Sequence, residues 1–111
     1  MAVWAAVIFA GSSVPGSNIP GRFSVAGHFV EYAVLGALAF AATRGRPLPA
    51  RVALMVLATC SLYAVSDELH QAFVPLRMPD PADWAVDTIG AAVGISAAIV
   101  LGRMRARRGA A

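Results

Sequence analysis

Four long apolar segments, separated by short polar stretches, constrain the fold of this chain more than any other feature. They run from Ala2 to about Val14, from about Phe23 to Thr43, from about Ala50 to Val74 and from Trp84 to Gly102. Of the 111 residues, 59% are hydrophobic, whereas soluble domains contain about 45–50%. Too few polar residues remain to cover a water-exposed surface. The sequence therefore predicts an all-α membrane protein, a bundle of four transmembrane helices.

The first segment is short for a membrane span, which needs about 20 residues. Either its helix continues through Ser12 and Ser13, or the true start of the protein lies upstream of Met1. Because no basic residue precedes the apolar run, we interpret it as a retained span rather than as a signal peptide. We expect one four-helix transmembrane domain over residues 1–102, followed by a basic tail over residues 103–111.

Arginine supplies all nine positive charges, and its placement predicts the orientation in the membrane. Two stretches are rich in arginine and contain no acidic residue: the second loop, with Arg44, Arg46 and Arg51, and the tail, with Arg103, Arg105, Arg107 and Arg108. Such an excess is typical of cytoplasmic flanks. We therefore expect a multi-pass protein of the cell membrane whose N- and C-termini are cytoplasmic. A basic tail beside the membrane also explains the high isoelectric point, so no nucleic-acid partner is expected.

The candidate site is a set of polar residues at the predicted outer ends of the spans. In this topology the start of the second span, the end of the third and the start of the fourth reach the same depth, near the outer surface. Ionisable residues near hydrocarbon cost free energy and are candidates for function. The polar residues at these places form the expected ligand-binding set: His28, Glu31, Asp67, Glu68, Gln71, Arg77, Asp83 and Asp87.

The fourth segment carries its polar residues on the face that packs inward. Asp83, Asp87, Gly90 and Gly94 follow helical spacing and form a single stripe. Small residues four positions apart allow a neighbouring helix to approach closely. The stripe should therefore bring its carboxylates to the outer end of the bundle.

Several motifs resemble the VanZ-like family of small multi-span bacterial membrane proteins. The run DELHQAFVPLRMPDPADWAVDTIGAAVG resembles the family signature, and FAGSSVP and GHFVEYAVLG resemble two further motifs upstream. The resemblance covers nearly the whole chain. The family's Asp-Lys pair ahead of the histidine is replaced by Ser24 and Val25, its Gly before the arginine by Leu76, and its Asn by Asp87. These departures make the site more acidic than the family pattern.

The resemblance implies an integral protein of the bacterial cell envelope. Because the family's namesake is associated with resistance to the glycopeptide teicoplanin, an effect on teicoplanin susceptibility is expected. We expect an outward-facing polar pocket that binds a lipid headgroup or a cell-wall precursor, with Arg77 contacting an anionic group. Membrane lipids are the expected partners and no cofactor is expected. The sequence leaves the oligomeric state open.

Other interpretations of the same residues remain. The alternative function is a metal-assisted membrane enzyme acting on lipid-linked substrates, with His28 or Glu68 as general base. A metal set would combine His28 and Glu31 with His70 and a carboxylate. The sequence contains no HExxH motif and no nucleophile elbow around Ser12 or Ser13, so neither a dedicated metal site nor a catalytic residue is expected.

Two non-enzymatic alternatives are also open. Arg77 pairing with Asp83 or Glu68 would only tie the third loop to the helix ends. An ion- or proton-coupled carrier is disfavoured, because the four short spans have no ionisable residue at mid-depth.

The predicted orientation can be tested by cysteine accessibility. With the native Cys60 replaced, single cysteines at positions 13 and 79 should react with an impermeant reagent from outside, and those at positions 44 and 106 only from the cytoplasm. The reason is the arginine excess of the second loop and the tail. Labelling of position 79 from the cytoplasm would overturn the orientation.

Overall fold

The computed structural model describes residues 2–12, 21–43, 49–75 and 80–110, and this part of the chain contains four α-helices. They are α1 (Ala2–Ser12), α2 (Gly21–Ala41), α3 (Pro49–Gln71) and α4 (Pro81–Gly109). The predicted apolar segments coincide with these helices to within a few residues, except at the end of α4. The prediction of an all-helical protein is confirmed for the described residues.

Helix α4 begins and ends beyond its apolar segment. Its N-terminus is set by Asp80, which has extended backbone and whose carboxylate accepts a hydrogen bond from the Ala82 amide at 2.9 Å. Pro81 follows at the first helical position, where its missing N–H costs nothing. At the other end, residues 103–109 of the predicted tail are the last turns of the helix. Arginine and alanine favour helix, and Arg107 and Arg108 complement the negative end of the helix dipole.

Contacts between the helices show their relative directions. Gly90 of α4 lies against Phe29 of α2, and Gly94 lies against Ala33 one turn further along, so these two helices run parallel. Helix α3 runs antiparallel to α4, because hydrogen bonds join Ser61 to Thr88 and Glu68 to Asp80. Helix α1 runs alongside α3 in the same direction: its Ala5 carbonyl accepts from the Tyr63 hydroxyl, and its Phe9 stacks on His70. The order is therefore up-down-up-down.

Helices α2 and α4 form the most extensive helix pair, and glycines bring their backbones into contact. A methyl group added at Gly90 would lie 2.6 Å from the Phe29 carbonyl oxygen. A methyl group at Gly94 would overlap the Ala33 carbonyl, and one at Gly36 would overlap that of Ala91. Both glycines of the predicted stripe thus serve packing between helices of the same chain.

The interior of the bundle is small, and large apolar side chains point outward. The buried apolar cluster consists mostly of small or medium residues: Ile8, Tyr32, Leu35, Ala39, Cys60, Ala64 and Ala91. In contrast, Leu54, Leu62 and Phe73 have exposed fractions of 68%, 71% and 89%. An exterior with so many large apolar side chains suits contact with lipid rather than with water.

Two of the four helices are long and apolar enough to cross a membrane. They are residues Ala50–Gln71 of α3 and the whole of α4. The apolar stretch Ala26–Ala41 of α2 is shorter, and α1 has 11 residues, which corresponds to about 16 Å. The structure therefore supports two spans by length and composition, and the four-span arrangement stays a prediction.

The glycine contact can be tested by adding one methyl group. Gly94→Ala should lower the free energy of unfolding by about 2 kcal/mol or more, because rigid backbone rather than a flexible side chain occupies the space. Gly102→Ala is the matched control: nothing lies within 4 Å of the added methyl, and alanine favours helix by up to about 1 kcal/mol. Denaturation of both variants in detergent would measure the difference. Equal stability of the two variants would contradict the packing.

Candidate functional site

The described site residues lie in the first half of α2, at the end of α3 and near the start of α4. Five of them are at least nine-tenths buried: His28 on α2, Asp67, Glu68 and Gln71 on α3, and Asp87 on α4. Gln71 and Asp87 are among the most completely buried side chains of the described residues. The helix directions explain this gathering, because the parallel starts of α2 and α4 and the antiparallel end of α3 lie at one level. The side chains of these five residues are enclosed by the bundle.

A hydrogen bond between His28 and Asp87 connects α2 to α4 at the centre of the site. The His28 Nδ1 and the Asp87 Oδ1 are 2.9 Å apart, and both side chains are buried. With Nδ1 protonated, the imidazole donates to the carboxylate. The bond lies one turn from the contact of Gly90 with Phe29, so the close backbone packing sets the height at which the two side chains meet.

Several polar atoms around this bond are buried without a hydrogen-bond partner among the described residues. They are both carboxylate oxygens of Asp67, the second oxygen of Asp87, Oε1 of Glu68, the Gln71 amide nitrogen and the Tyr32 hydroxyl. Burying a polar group without a partner costs about 1–3 kcal/mol, and more for a charged group. Asp67 is the clearest case, because neither of its oxygens is satisfied. A set of unsatisfied buried polar groups on three helices, most of them carboxylate oxygens, indicates a place for a bound group.

Two of these residues, Asp67 and Asp87, together with His28, also have the geometry of metal ligands. One nitrogen of His28 and one oxygen each of Asp67 and Asp87 all lie within 4.8 Å of one another. The metal set considered from the sequence is different, since neither Glu31 nor His70 belongs to this group. Sequence spacing could not reveal the group, because its members come from three helices.

The surrounding hydrogen bonds hold α3 and α4 together beside the site. Glu68 Oε2 accepts from the Asp80 amide at 3.1 Å, which attaches the end of α3 to the start of α4. Trp84 Nε1 donates to the Ser61 hydroxyl at 3.0 Å, and Ser61 in turn lies 3.1 Å from the Thr88 hydroxyl. These bonds position Asp87, which lies between Trp84 and Thr88 in α4.

The remaining predicted residues lie around the buried group or outside the described residues. Glu31 is partly buried, and its backbone carbonyl accepts from Trp4 Nε1 at 2.8 Å. Asp83 is partly buried in the first turn of α4. His70 stacks on Phe9, with ring centroids 4.2 Å apart. Arg77 lies outside the described residues, so its pairing and its role stay predictions.

Two residues of this region were not among the predicted site residues. Tyr32 is fully buried, and its position four residues after His28 places both on one face of α2. Asp80 caps α4 and bonds to Glu68, and its place directly before a proline was a recognisable helix-start signal.

Together, two helices able to cross a membrane, an apolar exterior and a buried acidic group define a small helical membrane protein. The VanZ/LLP1 family model matches residues 21–102, which is well over half of the chain. The chain therefore belongs to the VanZ/LLP1 family, and the resemblance seen in the sequence is confirmed. The match begins at α2, and α1 precedes it. Comparisons with curated proteins and with solved structures yield no match.

The His28–Asp87 bond predicts a non-additive effect on stability. His28→Leu should lower the free energy of unfolding by about 1–3 kcal/mol or more, because it leaves the buried Asp87 carboxyl without this partner. Combining it with Asp87→Leu should cost less than the sum of the two single substitutions, since both polar groups are then removed. Denaturation of the three variants in detergent measures this coupling.

Thr59→Val is a suitable control for this cycle. The Thr59 hydroxyl bonds only to the Met55 carbonyl of its own helix and is exposed, so its loss should change stability little. Strictly additive losses for His28 and Asp87 would contradict the coupling.

Proposed function

We propose that this protein is a multi-pass membrane protein of the cell envelope that binds a polar ligand at the acidic end of its bundle. The ligand is the headgroup of a lipid or of a cell-wall precursor, and a positively charged group meets the buried carboxylates. Asp67 carries the proposal, because both of its oxygens are buried and lack a hydrogen-bond partner among the described residues. It lies close to the polar atoms of His28 and Asp87 on two other helices.

The distribution of charge supports a cationic group at the site. Five of the six acidic residues of the chain lie at the end of α3 or around the start of α4, and the sixth, Glu31, lies about one turn beyond His28 in α2. The arginine side chains that the structure describes lie at the opposite end of the bundle, at Arg51 and in the last turns of α4. Buried carboxylates are stable only when they are paired, protonated or bound to a cation. A ligand that brings positive charge would therefore be retained there.

The position of the site in the membrane also supports a headgroup ligand. If α3 and α4 cross the bilayer, the end of one and the start of the other lie near the level of lipid headgroups. The arginine placement directs this end outward, where cell-wall precursors are exposed. The proposed topology has four spans, with both termini in the cytoplasm. Arg77 is proposed to contact the phosphate or carboxylate of the same ligand.

The proposal predicts that Asp67 is required for ligand binding. Asp67→Asn keeps the shape of the side chain but removes its negative charge. It should weaken binding of short-chain phosphatidylethanolamine or a lipid-linked cell-wall precursor by about tenfold or more, because a charged hydrogen bond contributes about 1.5–3 kcal/mol. Titration of the purified protein in detergent micelles measures the affinity. Ser96→Ala on α4 is the control, since Ser96 is exposed and bonds only to Ala92 of its own helix.

Susceptibility of a sensitive bacterial host gives the second readout of the same variants. Expression of the wild-type chain and of Ser96→Ala should raise the inhibitory concentration of teicoplanin, and Asp67→Asn should not. If the wild type, Ser96→Ala and Asp67→Asn bind phosphatidylethanolamine equally well, and also bind the cell-wall precursor equally well, the proposed site is refuted. Unchanged teicoplanin susceptibility with intact ligand binding would remove only the resistance role.

A further inference from the structure

We infer that the cationic group at this site is a divalent metal ion of the Mn²⁺–Zn²⁺ type, bound by His28, Asp67 and Asp87. The inference rests on the proposed function, because it names the cation that the acidic site takes. Each ligand comes from a different helix, so the ion would join α2, α3 and α4 at one point.

The separation of the ligand atoms suits one metal ion. Metal–nitrogen and metal–oxygen bonds of about 2.1 Å place neighbouring ligands about 3 Å apart and opposite ligands about 4.2 Å apart. The His28 Nδ1 and Asp87 Oδ1 are 2.9 Å apart, which is the spacing of neighbouring ligands. The whole group lies within 4.8 Å, so closure around an ion needs only small side-chain movements.

The unsatisfied oxygens give the second reason. Both Asp67 oxygens and the second Asp87 oxygen are buried without a hydrogen-bond partner among the described residues, although the two residues are 3% and 0% exposed. The single bond from His28 satisfies one of the four carboxylate oxygens. A divalent cation would neutralise both carboxylates. Its binding would release the Nδ1 proton of His28 to solvent, so the ion would replace the His28–Asp87 hydrogen bond and would contact Nδ1 together with oxygens of both carboxylates.

The donor types limit the choice of metal. One imidazole nitrogen with two carboxylates suits Mn²⁺ or Zn²⁺ better than Ca²⁺, which prefers six to eight oxygen ligands. Three protein ligands leave at least one coordination position open. A phosphate or hydroxyl oxygen of the headgroup would occupy that position, so the ion would connect the ligand to the protein.

Metal titration of the full-length protein tests the inference. After removal of metal with EDTA, the wild-type protein should bind one equivalent of Mn²⁺, followed by electron paramagnetic resonance, or of Zn²⁺, followed by elemental analysis. Asp67→Asn and His28→Gln should each weaken binding by about tenfold or more. Ser96→Ala is the control: its exposed hydroxyl bonds to the Ala92 carbonyl of its own helix and is not in the ligand group, so the affinity should stay close to that of the wild type.

A change of metal preference distinguishes the loss of a metal ligand from unfolding of the variant. In a Cys60→Ala background, Asp67→Cys should weaken Mn²⁺ binding and strengthen Cd²⁺ binding, because thiolates select soft metals. A thiolate-to-cadmium absorption band should accompany this change. A structural role for Asp67 would produce neither the reversal nor the band.

Ligand binding before and after chelation separates this inference from the proposed function. Loss of Asp67-dependent headgroup binding after EDTA treatment, with recovery on adding Mn²⁺ or Zn²⁺, would support the metal. Headgroup binding that still needs Asp67 but survives EDTA would overturn the metal and keep the site, with an ammonium group as the cation. Absence of both metal and headgroup binding would overturn both.

Discussion

The backbone contact between α2 and α4 is the constraint on which the rest of the structure depends. Gly36, Gly90 and Gly94 remove the side chains that would otherwise separate the two helices. Membrane helices gain little from the hydrophobic effect when they associate within lipid, so close packing and polar contacts hold them together. The glycine contact supplies the packing, and the His28–Asp87 bond one turn away supplies the polar contact. Each sets the position of the other.

The same arrangement explains why a buried polar group is compatible with so apolar a chain. Large apolar side chains such as Leu62 and Phe73 face outward, and the interior is filled by small residues and by polar ones. Polar side chains in a membrane protein avoid lipid by facing the inside of the bundle. Contact with lipid therefore explains both features: polar residues such as Asp67 and Gln71 are buried away from it, and leucine side chains face it. Among the described residues, several oxygens of this interior are left without a hydrogen-bond partner, and the proposed cation would contact them.

The VanZ/LLP1 family match includes the helices that hold the buried polar group. The match to residues 21–102 covers α2, α3 and most of α4, which are the helices that contribute the site. Asp87, which stands where the family pattern has asparagine, is the residue that bonds to His28. This departure adds the carboxylate that bonds to His28 and that the proposed cation would contact.

Hydrophobic patterning by itself determined the number and approximate bounds of the helices, because long apolar runs ended by proline, glycine and charge have few alternatives to helix. It also indicated the stripe of Asp87, Gly90 and Gly94, since that follows from helical spacing within one segment. Only the tertiary structure decided that Asp67 lies with His28 and Asp87 while Glu31 and His70 do not. That choice depends on the rotation of three helices about their axes, which is set by contacts between residues far apart in the chain.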